Sequence, residues 1–232
     1  MTVKWFYPIK LVFIAVLISS SVATAQREET VNLQFVSFPR VANAKPLQLL
    51  VGEGEVIDVE IPTNRLSQTY KVPKLNAWVL GELATEGENV QFKRHGQVQS
   101  SNSKNQIVMV IRNPKEGEDK VELFLLNNGG KGLAGGDCFI MNFSKVEIGG
   151  VVGKKKFVLK PRGRKTISPA PDRVVRGRRF AFANLYYRKE NRLEPFFEKQ
   201  WRLSKNANSM VFVYHDPHND RLRLHAIRNF IN

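Results

Sequence analysis

The sequence predicts an all-β protein with two tandem immunoglobulin-like or sandwich-type repeats of about 100 residues after a signal peptide. Short runs rich in Val, Ile and Phe alternate with Gly, Pro, Asn and Asp at roughly 8- to 12-residue spacing. No segment keeps an apolar period of 3.6 residues, and two stretches of the chain match at a constant offset. The expected units are a signal peptide at 1–25, a near-neutral repeat at 26–130 and a strongly basic repeat at 131–232.

The N-terminal residues have the pattern of a secretory signal. Lys4 and Lys10 lie before and at the start of an apolar run, and Ala23 and Ala25 place small residues just before Gln26. The alternative is an uncleaved membrane anchor. The uncharged run over 11–25 is shorter than the roughly 20 apolar residues that a spanning helix needs. We therefore expect cleavage between Ala25 and Gln26, and a location in the periplasm or outside the cell.

The strand signals are short apolar runs bounded by turn residues. They predict strands over Asn32 to Phe38, Leu47 to Val51, Val56 to Ile61, Ile107 to Arg112, and Val121 to Leu126. The best candidate for a helix is the segment from Leu193 to Trp201, which carries Phe196, Phe197 and Trp201.

An internal repeat supports the division into two units. Residues 97–114 align with 200–217 at an offset of 103 without a gap, and Gln, Ser and Pro coincide. The alternative is that two β domains share turn chemistry by chance. The boundary is expected within 127–136, where five of ten residues are Gly and the chain is flexible.

The C-terminal strand–turn–strand segment, from Val211 to Phe230, resembles the ends of uncharacterised exported bacterial proteins. The resemblance covers about a third of the chain and contains no diagnostic motif. It implies an exported family without an assigned activity, and it carries over no functional residue.

Charge differs strongly between the two predicted repeats. The formal net charge is +15; residues 26–130 hold 12 Lys and Arg against 13 Asp and Glu, and residues 131–232 hold 22 against 8. The net charges are therefore −1 and +14, and a positive field of this size attracts polyanions. The predicted polyanion-binding residues are Lys154, Lys155, Lys156, Lys160, Arg162, Arg164, Lys165, Arg176, Arg178 and Arg179.

The expected partners of this charge are an anionic polysaccharide, lipopolysaccharide or an envelope protein. The alternative is a solvated basic surface without a ligand. Nucleic acid is less favoured: aromatic residues could stack on bases, but such residues more often belong to a core. The aromatics considered are Tyr186, Tyr187, Phe196, Phe197 and Trp201.

One turn has ligand types suited to zinc, because imidazole and carboxylate groups lie close in sequence. The candidates are His215, His218 and His225. Asp-Pro and Asn-Asp are also ordinary turn residues, and the aligned turn at 112–115 holds no ligands. Strand alternation, with the larger apolar set facing the core, predicts Tyr214 inward and His215 and His225 together on an exposed face. Nearby Arg221 and Arg223 oppose a cation there, so no metal and no cofactor is predicted.

Other catalytic signals are weak. Cys138 is the only cysteine, so no intrachain disulfide can form, and its apolar neighbours indicate a small buried side chain. No G-x-S-x-G motif occurs, and the Gly-rich stretches lack the Lys of a phosphate-binding loop. The sequence therefore favours an exported, non-catalytic binding or structural module. The alternative is a metal-assisted hydrolase that uses the His215–His225 hairpin.

Overall fold

The computed structural model describes residues 29–41, 44–86, 89–112, 120–129, 132–190, 192–216 and 219–231. Within these ranges every helix or strand assigned is a β-strand, which confirms the predicted all-β class. All five predicted strands form. Three predicted features lie outside the described residues. They are the signal peptide with its Ala25–Gln26 cleavage site, the boundary at 130–131, and the prolines of the two aligned turns.

The best candidate for a helix, Leu193 to Trp201, is instead part of a strand, Arg192–Leu203. Phe197 and Trp201 are four residues apart, a spacing that puts two side chains on one side of either a helix or a strand. Pairing with the preceding strand decides the outcome.

The described part of the first half of the chain contains eight strands. They are β1 (Thr30–Phe38), β2 (Leu47–Leu50), β3 (Val56–Val59), β4 (Tyr70–Pro73), β5 (Ala77–Glu86), β6 (Asn89–Gln99), β7 (Asn105–Arg112) and β8 (Val121–Asn127). β3, β2, β5 and β6 form a sheet in that order, the first outer sheet. β4, β1, β7 and β8 form the first inner sheet, in which β1 and β7 are parallel.

Nine strands occur in the second half over the residues whose positions are described. They are β9 (Cys138–Asn142), β10 (Ile148–Val152), β11 (Lys155–Leu159), β12 (Arg164–Ile167), β13 (Arg173–Val175), β14 (Arg178–Lys189), β15 (Arg192–Leu203), β16 (Ala207–His215) and β17 (Leu222–Phe230). β12, β9, β16 and β17 form the second inner sheet, with β9 and β16 parallel. β11, β10 and β14 form the second outer sheet, with both β13 and β15 paired to β14.

The two halves have the same order of strand pairings, apart from the additional β13. Residue positions agree as well. In β5 and β6 Val79 lies opposite Gln97, and in β14 and β15 Phe182 lies opposite Gln200, each 103 residues after its counterpart. These pairings support the predicted duplication. It stays a prediction, because unrelated sandwiches can also share a strand order.

Three apolar cores separate the four sheets. The first lies between the first outer and first inner sheets and contains Trp78, which is fully buried and donates from Nε1 to Gln106 Oε1 at 2.7 Å. The third lies between the two sheets of the second half. The middle core joins the halves: Val36, Ile107 and Met109 pack with Phe139 and Phe212.

Because both inner sheets are covered on both faces, their central strands are almost continuously apolar, as expected for strands without a solvent face. All five residues of β9 are buried. In β16, Met210 and Phe212 face the middle core while Val211 and Val213 face the third core. The expectation that only one face of β16 meets a core is therefore wrong, because the other half of the chain covers the second face.

Candidate anion-binding surface

β14 has two chemically different faces. Ala181, Ala183 and Leu185 are fully buried against the third core. Side chains alternate across a strand, so Phe180, Phe182, Asn184 and Tyr186 lie on the opposite, solvent-facing side. The side chain of Phe182 is 46 % exposed. The outer surface of the second half therefore presents aromatic rings to solvent.

The space inside the second outer sheet explains why the small residues of β14 face inward. A Cβ built on Gly150 of β10 would lie 2.5 Å from Leu185 Cδ2 and 2.8 Å from Phe157 Cζ. Phe197 and Trp201 of β15 also pack against this core. Larger inward residues on β14 would overfill the layer.

Arginines surround Phe180 on the outer face. Arg173 of β13 and Arg202 of β15 are the cross-strand neighbours of Phe180 on its two sides. Adjacent strands lie about 4.8 Å apart, so the backbones that carry these two arginines are about 10 Å apart with the phenyl ring between them. Arg178 precedes Phe180 by two residues and shares its face. Three cations and an aromatic ring thus share a small surface.

The β13–β14 turn is a two-residue hairpin, because Val175 pairs with Arg178. Arg176 and Gly177 have φ angles of 46° and 75°, as a type I′ turn requires, and this turn matches the twist of the strands. The turn exposes Arg176 and Arg178. The sequence therefore positions two cations at the tip of a tight hairpin.

The β10–β11 turn lies beside the same hairpin. Gly153 N–H donates to Phe182 O at 2.8 Å. Its φ is 56°, and an added Cβ would lie 2.4 Å from Ala170 O, so this position requires glycine. The turn and the start of β11 expose Lys154, Lys155 and Lys156.

Asp172 is the only acid in the stretch from 154 to 179, and it is committed to the backbone. Its Oδ2 accepts the Phe182 N–H at 2.8 Å, and its own N–H donates to Phe180 O at 2.9 Å. Asp172 therefore aligns β14 with the segment before β13, and it makes no ion pair with the surrounding cations within the described residues.

Together these elements form a surface that we name the basic end. Seven of its eight cations are exposed and Arg179 is half-buried, and none has an ion pair with a carboxylate of the described residues. Neighbouring unpaired cations reinforce one another's field and attract an anionic chain. The basic end consists of Lys154, Lys155, Lys156, Arg173, Arg176, Arg178, Arg179 and Arg202.

The ten cations predicted from the sequence do not share one surface. Six belong to the basic end. Lys160, Arg162, Arg164 and Lys165 lie in and before β12, at the edge of the second inner sheet. Arg162 pairs with Glu122 of the first half, and the Arg164 guanidinium lies 4.5 Å from the ring centroid of Phe124. These two arginines connect the halves.

The aromatic candidates also divide. Tyr187, Phe196, Phe197 and Trp201 pack against the third core, and only Tyr186 lies on the outer face. The hydrogen bond that Tyr187 donates to Glu194, together with burial, raises the pKa of Tyr187 above its usual value. The sequence analysis did not identify Phe180 and Phe182 as candidates. A period-two reading of 178–188 separates them from Ala181, Ala183 and Leu185.

The histidine candidates do not converge. His215 lies opposite Leu222, and His225 lies opposite Phe212, so the two imidazoles are on opposite faces of the sheet. The expectation that they share an exposed face is wrong. His225 stacks on Phe38, with ring centroids 5.8 Å apart, and its Nε2 donates to the Thr63 carbonyl at 2.9 Å. Its role is contact between the halves.

No group of three or more metal-ligating side chains occurs among the residues with described positions. His218 lies outside the described residues. Cys138 is buried, and desolvation together with the nearby charge of Asp137 raises the pKa of its thiol far above the usual value. A thiol held protonated in this way is a poor nucleophile.

Comparison with known proteins gives no family assignment: no protein-family model matches the chain, and no curated protein matches its sequence. In the part of the chain that the structure covers, no helix is long and apolar enough to cross a membrane. The basic end is thus the surface with the strongest physical signal for a ligand.

Proposed function

We propose that this protein is an exported, non-catalytic binding module whose second half contacts an anionic polymer through the basic end. The observation that carries the proposal is the absence of ion pairs, within the described residues, around eight clustered cations. Folding brings these charges together although their repulsion is unfavourable. An anionic ligand relieves that repulsion.

The location of the charge supports the same proposal. Most cations of the basic end project from an outer sheet and from two turns, at the surface farthest from the middle core. Arg162 and Arg164, by contrast, contact the first half. The surface that remains for a ligand is therefore on the second outer sheet, and the first half is expected to supply stability rather than binding energy.

Titration with heparin at several salt concentrations tests the proposal. A polyanion that neutralises several cations releases counterions, so the logarithm of the association constant falls linearly with the logarithm of the salt concentration. If six of the eight cations engage, the affinity is expected to fall about 10³-fold between 50 and 200 mM salt. An affinity that does not depend on salt contradicts the proposal.

A further inference from the structure

From the aromatic ladder on β14 we infer that the anionic polymer is an acidic polysaccharide, whose sugar rings stack on Phe180, Phe182 and Tyr186 while its carboxylates bind the surrounding arginines. This inference rests on the proposed function and names the class of its ligand. It accounts for the aromatic side chains on the outer face, which charge alone does not explain.

The ladder is a row of alternate residues. Positions 178, 180, 182, 184, 186 and 188 of β14 are Arg, Phe, Phe, Asn, Tyr and Arg, and successive members are about 6.7 Å apart along the strand. An aromatic ring that stays exposed to water forgoes the favourable free energy that its burial would give. Arg188 pairs with Glu147, whereas Arg178 at the other end has no ion pair within the described residues; rings beside such a cation indicate a ligand with apolar faces and negative charge.

Carboxylates on a sugar chain fit the arginines. Arg173 and Arg202 lie on the two sides of Phe180, and Arg178 adjoins it along β14. A guanidinium can bind a carboxylate through two parallel hydrogen bonds. A sugar stacked on Phe180 therefore presents a carboxylate at its rim to an arginine, whichever way the chain runs across the sheet.

The polar groups between the rings favour a polymer rich in hydroxyl groups. Oδ1 of Asn184 is buried and has no hydrogen-bond partner in the described part of the chain. Glu198 is the cross-strand neighbour of Asn184 and is exposed. Because Asn184 Oδ1 is closed off from solvent, the acceptor that a ligand can meet on this face is the Glu198 carboxylate, which needs a donor. Sugar hydroxyls donate, whereas a phosphodiester backbone only accepts, so the face suits a polysaccharide better than a nucleic acid.

Exposed aliphatic side chains on the same sheet provide a matched control. Val158 of β11 is the cross-strand neighbour of Gly149, which lies opposite Tyr186 on its other side. Leu193 of β15 lies opposite Arg188. They are 63 % and 65 % exposed. Replacing them removes exposed apolar surface from the outer face without removing a ring.

The test measures binding of the full-length protein to polygalacturonate and to single-stranded poly(dT), each at one fixed salt concentration. The double variant Phe182→Leu and Tyr186→Leu keeps the charge and most of the apolar area. It is expected to bind polygalacturonate about 30-fold more weakly, which corresponds to two stacked rings at the low end of about 1 kcal/mol each. The control variant Val158→Ala and Leu193→Ala is expected to bind as the wild type does. Unchanged thermal unfolding shows that both variants fold.

Three outcomes overturn the inference. If the aromatic variant binds polygalacturonate normally while loss of basic-end charges weakens binding, the stacking is wrong and the proposed function stands. If the wild type binds poly(dT) more tightly than polygalacturonate, the ligand class is wrong. If neither polymer binds, the inference and the proposed function fail together.

Discussion

Replacing Lys154, Lys156, Arg173 and Arg202 with glutamine is expected to weaken heparin binding by about 100- to 1,000-fold in 50 mM salt. A basic residue near an anionic surface contributes up to about 1 kcal/mol, and each 1.4 kcal/mol is a factor of ten. All four side chains are exposed, so the variant should keep its fold. The salt dependence should also become shallower, because fewer counterions are released.

A second variant with the same net charge is the control for this result. Lys160, Lys165, Lys205 and Arg221 are also exposed and belong to the second half, but they lie outside the basic end. Their replacement with glutamine is expected to change heparin affinity less than tenfold. Equal losses in the two variants would show that net charge alone, not the arrangement on the second outer sheet, attracts the polymer.

The substitution Phe212→Ala is expected to lower the free energy of unfolding by about 3–5 kcal/mol. Phe212 is fully buried in the middle core, with its ring stacked 4.8 Å from that of Phe38 in the first half. Alanine leaves a cavity between the two inner sheets. Urea unfolding measures the loss.

Phe230 is the control for the core variant, because it belongs to the same sheet but is 69 % exposed. Phe230→Ala is expected to change stability by no more than about 1 kcal/mol, the value of its contact with Arg228. A loss below 1 kcal/mol for Phe212→Ala would mean that the halves do not depend on the middle core.

The strand pattern was predictable because turn residues divide the chain into short apolar runs. What each strand faces was less predictable. In β16, the rule that the larger apolar set faces the core identified Met210, Phe212 and Tyr214 but left Val211 and Val213 outside. The sequence of one strand does not show that a second sandwich covers its other face.

The same rule fails on β14. Its larger residues, including Phe180 and Phe182, face solvent, while Ala181 and Ala183 face a core already filled by side chains of neighbouring strands. Which set of alternate residues is buried depends on those neighbours. Two of them, Phe197 and Trp201, belong to the segment 193–201, over which the sequence analysis predicted no strand. The candidate surface was therefore only partly predictable.

The sequence shows that cations are clustered in the second half, but it does not show that the cluster divides into two groups with different contacts. Arg162 and Arg164 follow the lysines of β11 closely, yet their partners Glu122 and Phe124 are some 40 residues earlier in the chain. Arg202 comes later in the chain than the predicted set and joins the basic end through strand pairing. Only the fold separates cations that connect the halves from cations that remain for a ligand.

Lysine acetylation with and without bound heparin tests the central claim most directly, because it reports each lysine by position in the wild-type protein. Heparin is expected to slow acetylation of Lys154, Lys155 and Lys156, which belong to the basic end. Lys160, Lys165 and Lys205 are expected to react at the same rate in both samples. Equal protection of both sets, or protection confined to the second set, would contradict binding at the basic end.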